Sequence, residues 1–219
     1  MEAVKPKKTL VEETYDILLD AICTGKFLPG ERLNQDEIAA KLNVSRQPVN
    51  SAISILKANG LVEDTGRRSV VVTSFDHDLF RAIYDYRSII EPFAVRLAAK
   101  HLTVADRKQA EKVLRVGQKA LERGKLGELI SADMMFHELI YRLSRNQVIE
   151  TSMRTNWHHI RRSMAEVLRD PGAIVSVWEQ HTEIVEKLFD GQPDTAAQIM
   201  ERHIGNSYQT IITAVDFAK

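Results

Sequence analysis

Four side chains in the C-terminal half of this 219-residue chain could bind one metal ion together. They are a carboxylate and three imidazoles, from Asp133, His137, His181 and His203. Each falls on an apolar helical stripe, and a buried polar group is costly unless it finds a partner. A divalent ion held between helices is the simplest partner that all four could share. Imidazoles with a single carboxylate indicate zinc, nickel, iron or manganese rather than calcium.

The metal prediction depends on the four positions as a set. A lone inward histidine is more often a hydrogen-bonded core residue than a ligand. Asp133 and His137 are four residues apart and therefore share one helix face. His181 and His203 lie in two later helical segments, each on a face with apolar neighbours. We therefore predict one ion held between three helices.

A second group of polar side chains, nearer the N-terminus, has the pattern of a DNA-contacting helix. Asn43-Val44 forms a tight turn between two short helical segments, as helix-turn-helix geometry requires. The second segment begins at Ser45 and exposes four side chains suited to base edges or phosphates: Ser45, Arg46, Gln47 and Asn50. Arginine can form two hydrogen bonds to guanine, and glutamine or asparagine can do the same with adenine.

Further cations flank this helix. Arg67 and Arg68 lie at the tip of a predicted hairpin, where they could contact the DNA backbone or the minor groove. Lys5, Lys7 and Lys8 could form a flexible basic arm. The whole chain has a net charge of zero, with 30 basic and 30 acidic residues, so the DNA prediction rests on local pattern rather than on composition.

Hydrophobic periodicity places both groups on definite elements. Near the N-terminus, three segments of helical spacing are followed by two short strands; they are residues 9–25, 34–43, 45–59, 61–64 and 69–73. Asn34 and Ser45 are the predicted N-caps of the second and third helices. Beyond them the pattern is helical to the end, with helices predicted at 77–101, 104–123, 126–144, 147–169, 173–190 and 194–214.

The predicted fold class is mostly α. An N-terminal winged helix-turn-helix is followed by a C-terminal all-α antiparallel helical bundle. We assign residues 1–74 to a DNA-binding domain and residues 75–80 to a linker. Residues 81–219 form the predicted all-helical domain for effector binding and dimerisation.

The N-terminal motifs resemble a known family. GKFLPGERLNQDEIAAKLNVSRQPVNSAISILKANGLVE, followed by GRRSVVV, is similar to the GntR family of transcription regulators over residues 9–74. The resemblance implies that Arg46 is the family's regular DNA-contacting arginine. Two positions depart from the family pattern, because Asn50 stands where a second arginine is usual and Ser69 where the wing has glycine. The first departure suggests an altered operator, and the second argues against insertion of the wing into the minor groove.

The C-terminal half resembles one branch of the same family. Asp133-Met-Met-Phe-His137, with His181 and His203, is similar to the metal-binding version of the FadR-type effector domain, called FCD. That resemblance implies an ion with open positions for water or an effector. The segment RSIIEPFA, which starts at Arg87, resembles the first helix of this branch, whose arginine points into the effector pocket. The simpler alternative is that Arg87 pairs with Glu91 one turn later.

These patterns predict a DNA-binding transcription regulator, acting as a repressor, whose operator binding responds to a small carboxylate. The ion, Asp133 and Arg87 leave about two positive charges in the pocket, which favours an organic acid as effector. A second copy of the chain is expected, because one recognition helix contacts too few bases for useful specificity. Two alternatives stay open: the ion is itself the effector, or it is only structural. A metal-dependent enzyme is disfavoured because no second carboxylate or nucleophile is evident near the ligands, and because an enzyme would leave the DNA-binding half unexplained.

Composition indicates a cytoplasmic protein. Its apolar and charged fractions, 44% and 27%, are ordinary for a globular chain. No apolar run approaches the roughly 20 residues of a membrane span, so no membrane partner is expected. The first residues lack the pattern of a secretory signal. Cys23 lies in an apolar helical pattern and is predicted to be a buried small side chain without a disulfide partner.

Overall fold

Two units make up the chain in the computed structural model, which describes residues 8–66 and 69–216. The units are Met1–Asp76 and His77–Lys219. The predicted fold class is confirmed, since the chain is mostly helical with one small sheet in its first unit. A long helix begins at His77 and therefore starts inside the 75–80 segment that the sequence assigned to a linker.

The first unit is a winged helix-turn-helix. Its elements in chain order are α1 (Leu10–Cys23), β1 (Arg32–Leu33), α2 (Gln35–Leu42), α3 (Arg46–Ala58), β2 (Val62–Asp64) and β3 (Val70–Val72). Strand β3 lies in the middle and runs antiparallel to both neighbours, so that Val71 pairs with Arg32 on one side and Glu63 on the other. The β2–β3 hairpin was predicted, whereas β1 was missed. A strand of two residues is too short for an alternating pattern to show.

Local signals hold the helix-turn-helix in shape. The Asn34 side chain accepts hydrogen bonds from the backbone N–H groups of Asp36 and Glu37 and so caps α2. Asn43 ends that helix in the left-handed conformation, with φ 53°, which asparagine tolerates better than most residues. Ser45 occupies the N-cap position of α3 with extended backbone, but its hydroxyl makes no hydrogen bond to the described backbone of that helix. The two helices are therefore joined by a short, well-defined turn.

The second unit is a bundle of long helices. They are α4 (His77–Ala98), α5 (Val104–Arg123), α6 (Leu126–Leu143), α7 (Gln147–Val167), α8 (Pro171–Phe189) and α9 (Pro193–Asp216), with a 3-10 turn at Ala99–His101. Helix α4 packs against α6, α7 and α9, and α8 packs against α5 and α9. The interior between them includes the fully buried side chains of Ile130, Phe136 and Ile184. Over the described ranges, no helix combines the length and the apolar character needed to cross a membrane.

Two prolines that the sequence suggested as helix breaks instead begin helices. Pro171 and Pro193 are the first residues of α8 and α9, whereas the predicted helices began at 173 and 194. Proline is favourable at the first helical position because the N–H that it lacks would have no partner in the helix. Asp170 completes the start of α8 by accepting a hydrogen bond from the Gly172 N–H.

Candidate metal centre and recognition helix

Three helices of the second unit bring the four predicted ligands to one point. Asp133 and His137 lie on α6, His181 on α8 and His203 on α9, and all four are fully buried. One possible ligand atom from each lies within 4.8 Å of the corresponding atoms of the others. The His181 Nε2 atom is 3.3 Å from His203 Nε2 and 3.6 Å from Asp133 Oδ1. Ligand atoms about 2.0–2.2 Å from one ion lie roughly 3–4 Å from one another, so these spacings suit a single divalent cation.

Hydrogen bonds behind two of the imidazoles orient their ring nitrogens. The Nδ1 atom of His137 is 2.6 Å from Glu91 Oε2, and that of His203 is 3.0 Å from Gln180 Oε1. A carboxylate or amide oxygen only accepts, so Nδ1 carries a proton in each ring, and in the neutral form of the ring Nε2 has the lone pair. The lone pairs therefore face the other ligand atoms, which is the arrangement that a metal-binding histidine needs.

Asp133 is the clearest sign that the cluster suits a cation. Neither of its carboxylate oxygens has a hydrogen-bond partner among the described residues, although the side chain is fully buried. Burial raises the pKa of Asp133 above its ordinary value, which reflects the cost of an unpaired charge in the interior. The donor set fits a divalent ion, because such an ion would offset that charge and satisfy both oxygens.

His181 and His203 have the protonation state that a metal requires. Burial, together with the positive charge on neighbouring groups, holds the pKa of His181 and of His203 well below that of an ordinary histidine. Both rings are therefore neutral near pH 7, and neutral imidazole is the form that binds a metal. The Nδ1 atom of His181 has no hydrogen-bond partner in the described part of the chain.

Helix α4 adds a buried ion pair beside the ligands. Arg87 Nε donates to Glu91 Oε1 at 2.6 Å, and both side chains are fully buried. The sequence suggested this Arg87–Glu91 ion pair as the simpler alternative to an Arg87 that points into an effector pocket. Burial opposes both charges, but Arg87 and His137 lower the pKa of Glu91 below its ordinary value. Glu91 in turn raises the pKa of Arg87. Both groups therefore remain ionised.

Glu91 corrects two expectations drawn from the sequence. The sequence shows no second carboxylate near the ligands, yet Glu91 is one hydrogen bond from His137. Glu91 also offsets the charge of Arg87, so the site with an ion would carry about one positive charge rather than two. Its spacing from Arg87 was visible in the sequence. The contact with His137 was not, because it depends on the packing of α4 against α6.

Part of the Arg87 guanidinium still faces the ligand atoms. Its Nη2 lies 3.5 Å from His137 Nε2, and its Nη1 has no hydrogen-bond partner within residues 8–66 and 69–216. The guanidinium carbon also lies 4.8 Å from the centre of the Tyr84 ring, a cation–π distance. The effector-binding role predicted for Arg87 stays a prediction, now resting on these two terminal nitrogens.

Helix α3 presents the four predicted DNA-contacting side chains to solvent. Ser45, Arg46, Gln47 and Asn50 are all exposed, while Pro48 and its neighbours on the other face enter the core. Arg46 Nε lies 2.9 Å from Asp36 Oδ1 of α2, a contact that the sequence did not suggest. The DNA-binding roles of the four residues stay predictions.

The flanking cations are only partly described. Arg67, Arg68, Lys5 and Lys7 lie outside the described residues. The remaining lysine of the proposed basic arm, Lys8, is paired with Asp16 of α1 at 2.6 Å, so it is bound to the helix.

Ser69 stands where glycine is usual in the wing, and together with Thr65 it closes the turn between β2 and β3. Its hydroxyl and that of Thr65 are hydrogen-bonded, and the Thr65 N–H donates to the Ser69 carbonyl at 3.0 Å. The Ser69 hydroxyl is thus engaged within the hairpin.

Comparisons with known proteins match both units. Residues 10–72 match the family model for bacterial regulatory proteins of the gntR family, and residues 82–206 match the FCD domain. The Nta operon transcriptional regulator of Aminobacter aminovorans is 29% identical, covering 86% of this chain and 88% of its own. The transcriptional repressor RspR of Escherichia coli K12 is 26% identical, covering 92% and 88%. A solved GntR regulator structure from Rhodococcus sp. RHA1 covers 93% and 97%, with a TM-score of 0.77 and 24% identity, which bears on the fold alone.

Proposed function

Since this chain belongs to the GntR family of bacterial transcription regulators and carries an FCD domain, we propose that it is a repressor controlled by a small organic acid. The acid binds beside a divalent ion in the second unit and changes the affinity of the first unit for its operator. One observation carries the proposal: the buried Asp133 carboxylate faces three imidazoles and has no hydrogen-bond partner in the described chain.

Asp133, His137, His181 and His203 are the proposed ligands of the ion. Zinc, nickel, iron and manganese are all compatible with three imidazoles and one carboxylate. When bound, the ion supplies a Lewis-acidic positive charge in an interior of low effective dielectric constant. Glu91 holds His137 in the ligating tautomer from behind, and Gln180 does the same for His203.

The charge and the hydrogen-bond donors of this site favour an anionic effector. A divalent ion and Arg87 together carry three positive charges, and Asp133 and Glu91 carry two negative ones. About one positive charge therefore remains when the ion is bound. The terminal nitrogens of Arg87 border the ligand atoms and can donate to a carboxylate. An acid that contacts both Arg87 and the ion would draw α4 toward the three ligand-bearing helices. We propose this shift as the signal that alters operator binding.

The proposed regulator acts as a homodimer on a two-fold-related DNA site. One recognition helix contacts too few bases for useful specificity, so two copies of α3 are needed. Helix α4 supports this proposal with an exposed apolar stripe of Tyr86, Ile89 and Phe93, which helical periodicity places on one face. A second copy of the chain is the occupant that we propose for this stripe.

A direct metal sensor is the second candidate function. Four protein ligands equal the number that closed structural zinc sites use, which would leave no position that an acid must fill. In that case the ion alone would change operator affinity.

Operator binding measured in defined metal and acid states tests these functions. A duplex selected by the protein from a random pool is titrated by fluorescence anisotropy with metal-stripped protein, with reloaded protein, and with reloaded protein plus a panel of organic acids. We expect an acid to weaken operator binding only when metal is present. If metal changes the affinity and no acid does, the protein is a metal sensor. If neither changes it, the ion is structural.

A further inference from the structure

Arg46, the proposed base-contacting residue of α3, is held by a carboxylate from the neighbouring helix. Its Nε lies 2.9 Å from Asp36 Oδ1, although the two side chains are 64% and 66% exposed. The backbone of Asp36 is fixed at the start of α2, since its N–H donates to the Asn34 side chain that caps this helix. Two elements of the helix-turn-helix therefore position a single guanidinium.

The pair orients Arg46 without using the donors that guanine needs. A guanidinium is planar and presents five N–H donors in fixed directions. The Asp36 carboxylate lies beside Nε, so its charge attracts the guanidinium and leaves the two terminal nitrogens for another acceptor. Guanine O6 and N7 accept two parallel hydrogen bonds from such a fork. Arg46 is thus poised for a base edge rather than simply extended into solvent.

The charges around Arg46 are not those of a simple phosphate clamp. A groove of about 540 Å³ beside Arg46 is lined by Arg32, Asp36 and Glu37 among others. Binding to the DNA backbone depends on cations that replace counterions, and an acid in the same groove opposes it. Asp36 therefore lowers affinity for DNA of any sequence, and its benefit has to come from orientation.

We propose that Asp36 determines specificity by positioning Arg46, so that it raises discrimination for the operator while lowering affinity for unrelated DNA. This inference rests on the proposed operator-binding role of Arg46. An exposed ion pair contributes little to folding stability. The effect of Asp36 is therefore expected in DNA binding and not in the melting temperature.

The test compares full-length variants on two duplexes, one selected by the wild type from a random pool and one with the same bases scrambled. The variants are Asp36→Ala, Asp36→Asn, Arg46→Ala, the double variant Asp36→Ala/Arg46→Ala, and Glu37→Gln. Glu37 is a matched control because it lies on the same turn and lines the same groove, while its carboxylate accepts from Asn34 Nδ2. Anisotropy titrations at several salt concentrations give both affinities, and circular dichroism gives the melting temperature.

Asp36→Ala and Glu37→Gln should both bind the scrambled duplex a few-fold more tightly, because each removes a negative charge near the phosphates. Only Asp36→Ala should lower the ratio of selected to scrambled affinity, by about fivefold, the lower end of what a bidentate base contact supplies. Asp36→Asn should fall between, since it keeps a polar side chain of the same size beside Nε but loses the negative charge. In the Arg46→Ala background, Asp36→Ala should leave the ratio unchanged.

Four results would overturn the inference. A higher ratio in Asp36→Ala would mean that Asp36 sequesters Arg46 from DNA. An equal loss in Glu37→Gln would indicate a general charge effect. If the ratio is unchanged in Asp36→Ala but reduced in Arg46→Ala, then Arg46 contacts the operator and Asp36 does not position it. If Arg46→Ala itself keeps the wild-type ratio, the proposed contact of Arg46 with the operator fails, and the role of Asp36 fails with it.

Discussion

The two units of this protein hold their polar side chains in opposite ways. In the second unit Asp133 and the three histidines are fully buried, with Arg87 and Glu91 beside them. In the first unit Ser45, Arg46, Gln47 and Asn50 are exposed. An unpaired buried charge costs several kcal/mol, so the buried cluster itself indicates the sign and the kind of its partner. Exposure costs almost nothing, so only pattern and position indicate what the exposed set contacts.

The largest expected effect is the loss of the metal from the buried cluster. The double variant His137→Ala/His203→Ala removes two of four ligands, and we expect its metal content to fall from one ion per chain to near zero. Elemental analysis after loading and dialysis measures this, and metal should no longer raise the melting temperature. His101→Ala, which changes a histidine outside the cluster, is the control. Full occupancy in the double variant would contradict the proposed site.

The second-largest expected effect comes from changing Glu91, which is hydrogen-bonded to the proposed ligand His137 in the buried cluster. Glu91→Gln weakens the acceptor for His137 and leaves the Arg87 charge unpaired in the interior. Metal affinity should fall about 10–100-fold, the usual result of changing an outer partner of a metal-binding histidine. A competition titration with a chelator measures affinity, and unfolding of the metal-free protein separates the loss of stability. Gln180→Ala should have a smaller effect, and equal affinities in all three proteins would refute the role of Glu91.

In the exposed set, Arg46→Ala should weaken operator binding by about 1–3 kcal/mol and relax discrimination at one base pair. Titrations with a series of single-base operator variants measure both quantities. A uniform loss on every duplex would make Arg46 a phosphate contact instead. No change on any duplex would place the recognition surface elsewhere.

The smallest effect is a pH dependence that belongs to the buried cluster of the metal-free protein. The lowered pKa values of His181 and His203 mean that the unfolded chain, with a histidine pKa near 6.5, binds more protons than the folded chain as pH falls. Asp133, with its raised pKa, opposes one of these two protons. We expect the free energy of unfolding to fall as the pH decreases below 6.5, because two histidines favour this fall and one carboxyl group opposes it. Urea unfolding at several pH values measures it, and the slope should reverse its sign in His181→Gln/His203→Gln, because only the opposing contribution of Asp133 then remains.

The features predicted correctly from the sequence are those that depend on residues close together in the chain. The Asn34 cap, the Asn43-Val44 turn and the span of α5 at Val104–Arg123 depend on residues a few positions apart. The four buried polar residues of the second unit were also predicted to face inward, because a polar residue on an apolar helical stripe is visible as a break in the pattern. The starts of α8 and α9 were misplaced because proline can either end or begin a helix, and the pattern alone did not distinguish the two.

The sequence by itself determined the helix-turn-helix, the helical bundle and the four inward polar groups of the second unit. Each of these depends on the periodicity of side chains along one segment. Only the tertiary structure decided which groups stand behind them. Glu91 meets His137 across 46 residues of sequence, and Asp36 meets Arg46 across the turn between two helices. Periodicity assigns a side chain to a face of its own helix, but the neighbour that this face meets depends on how the helices pack.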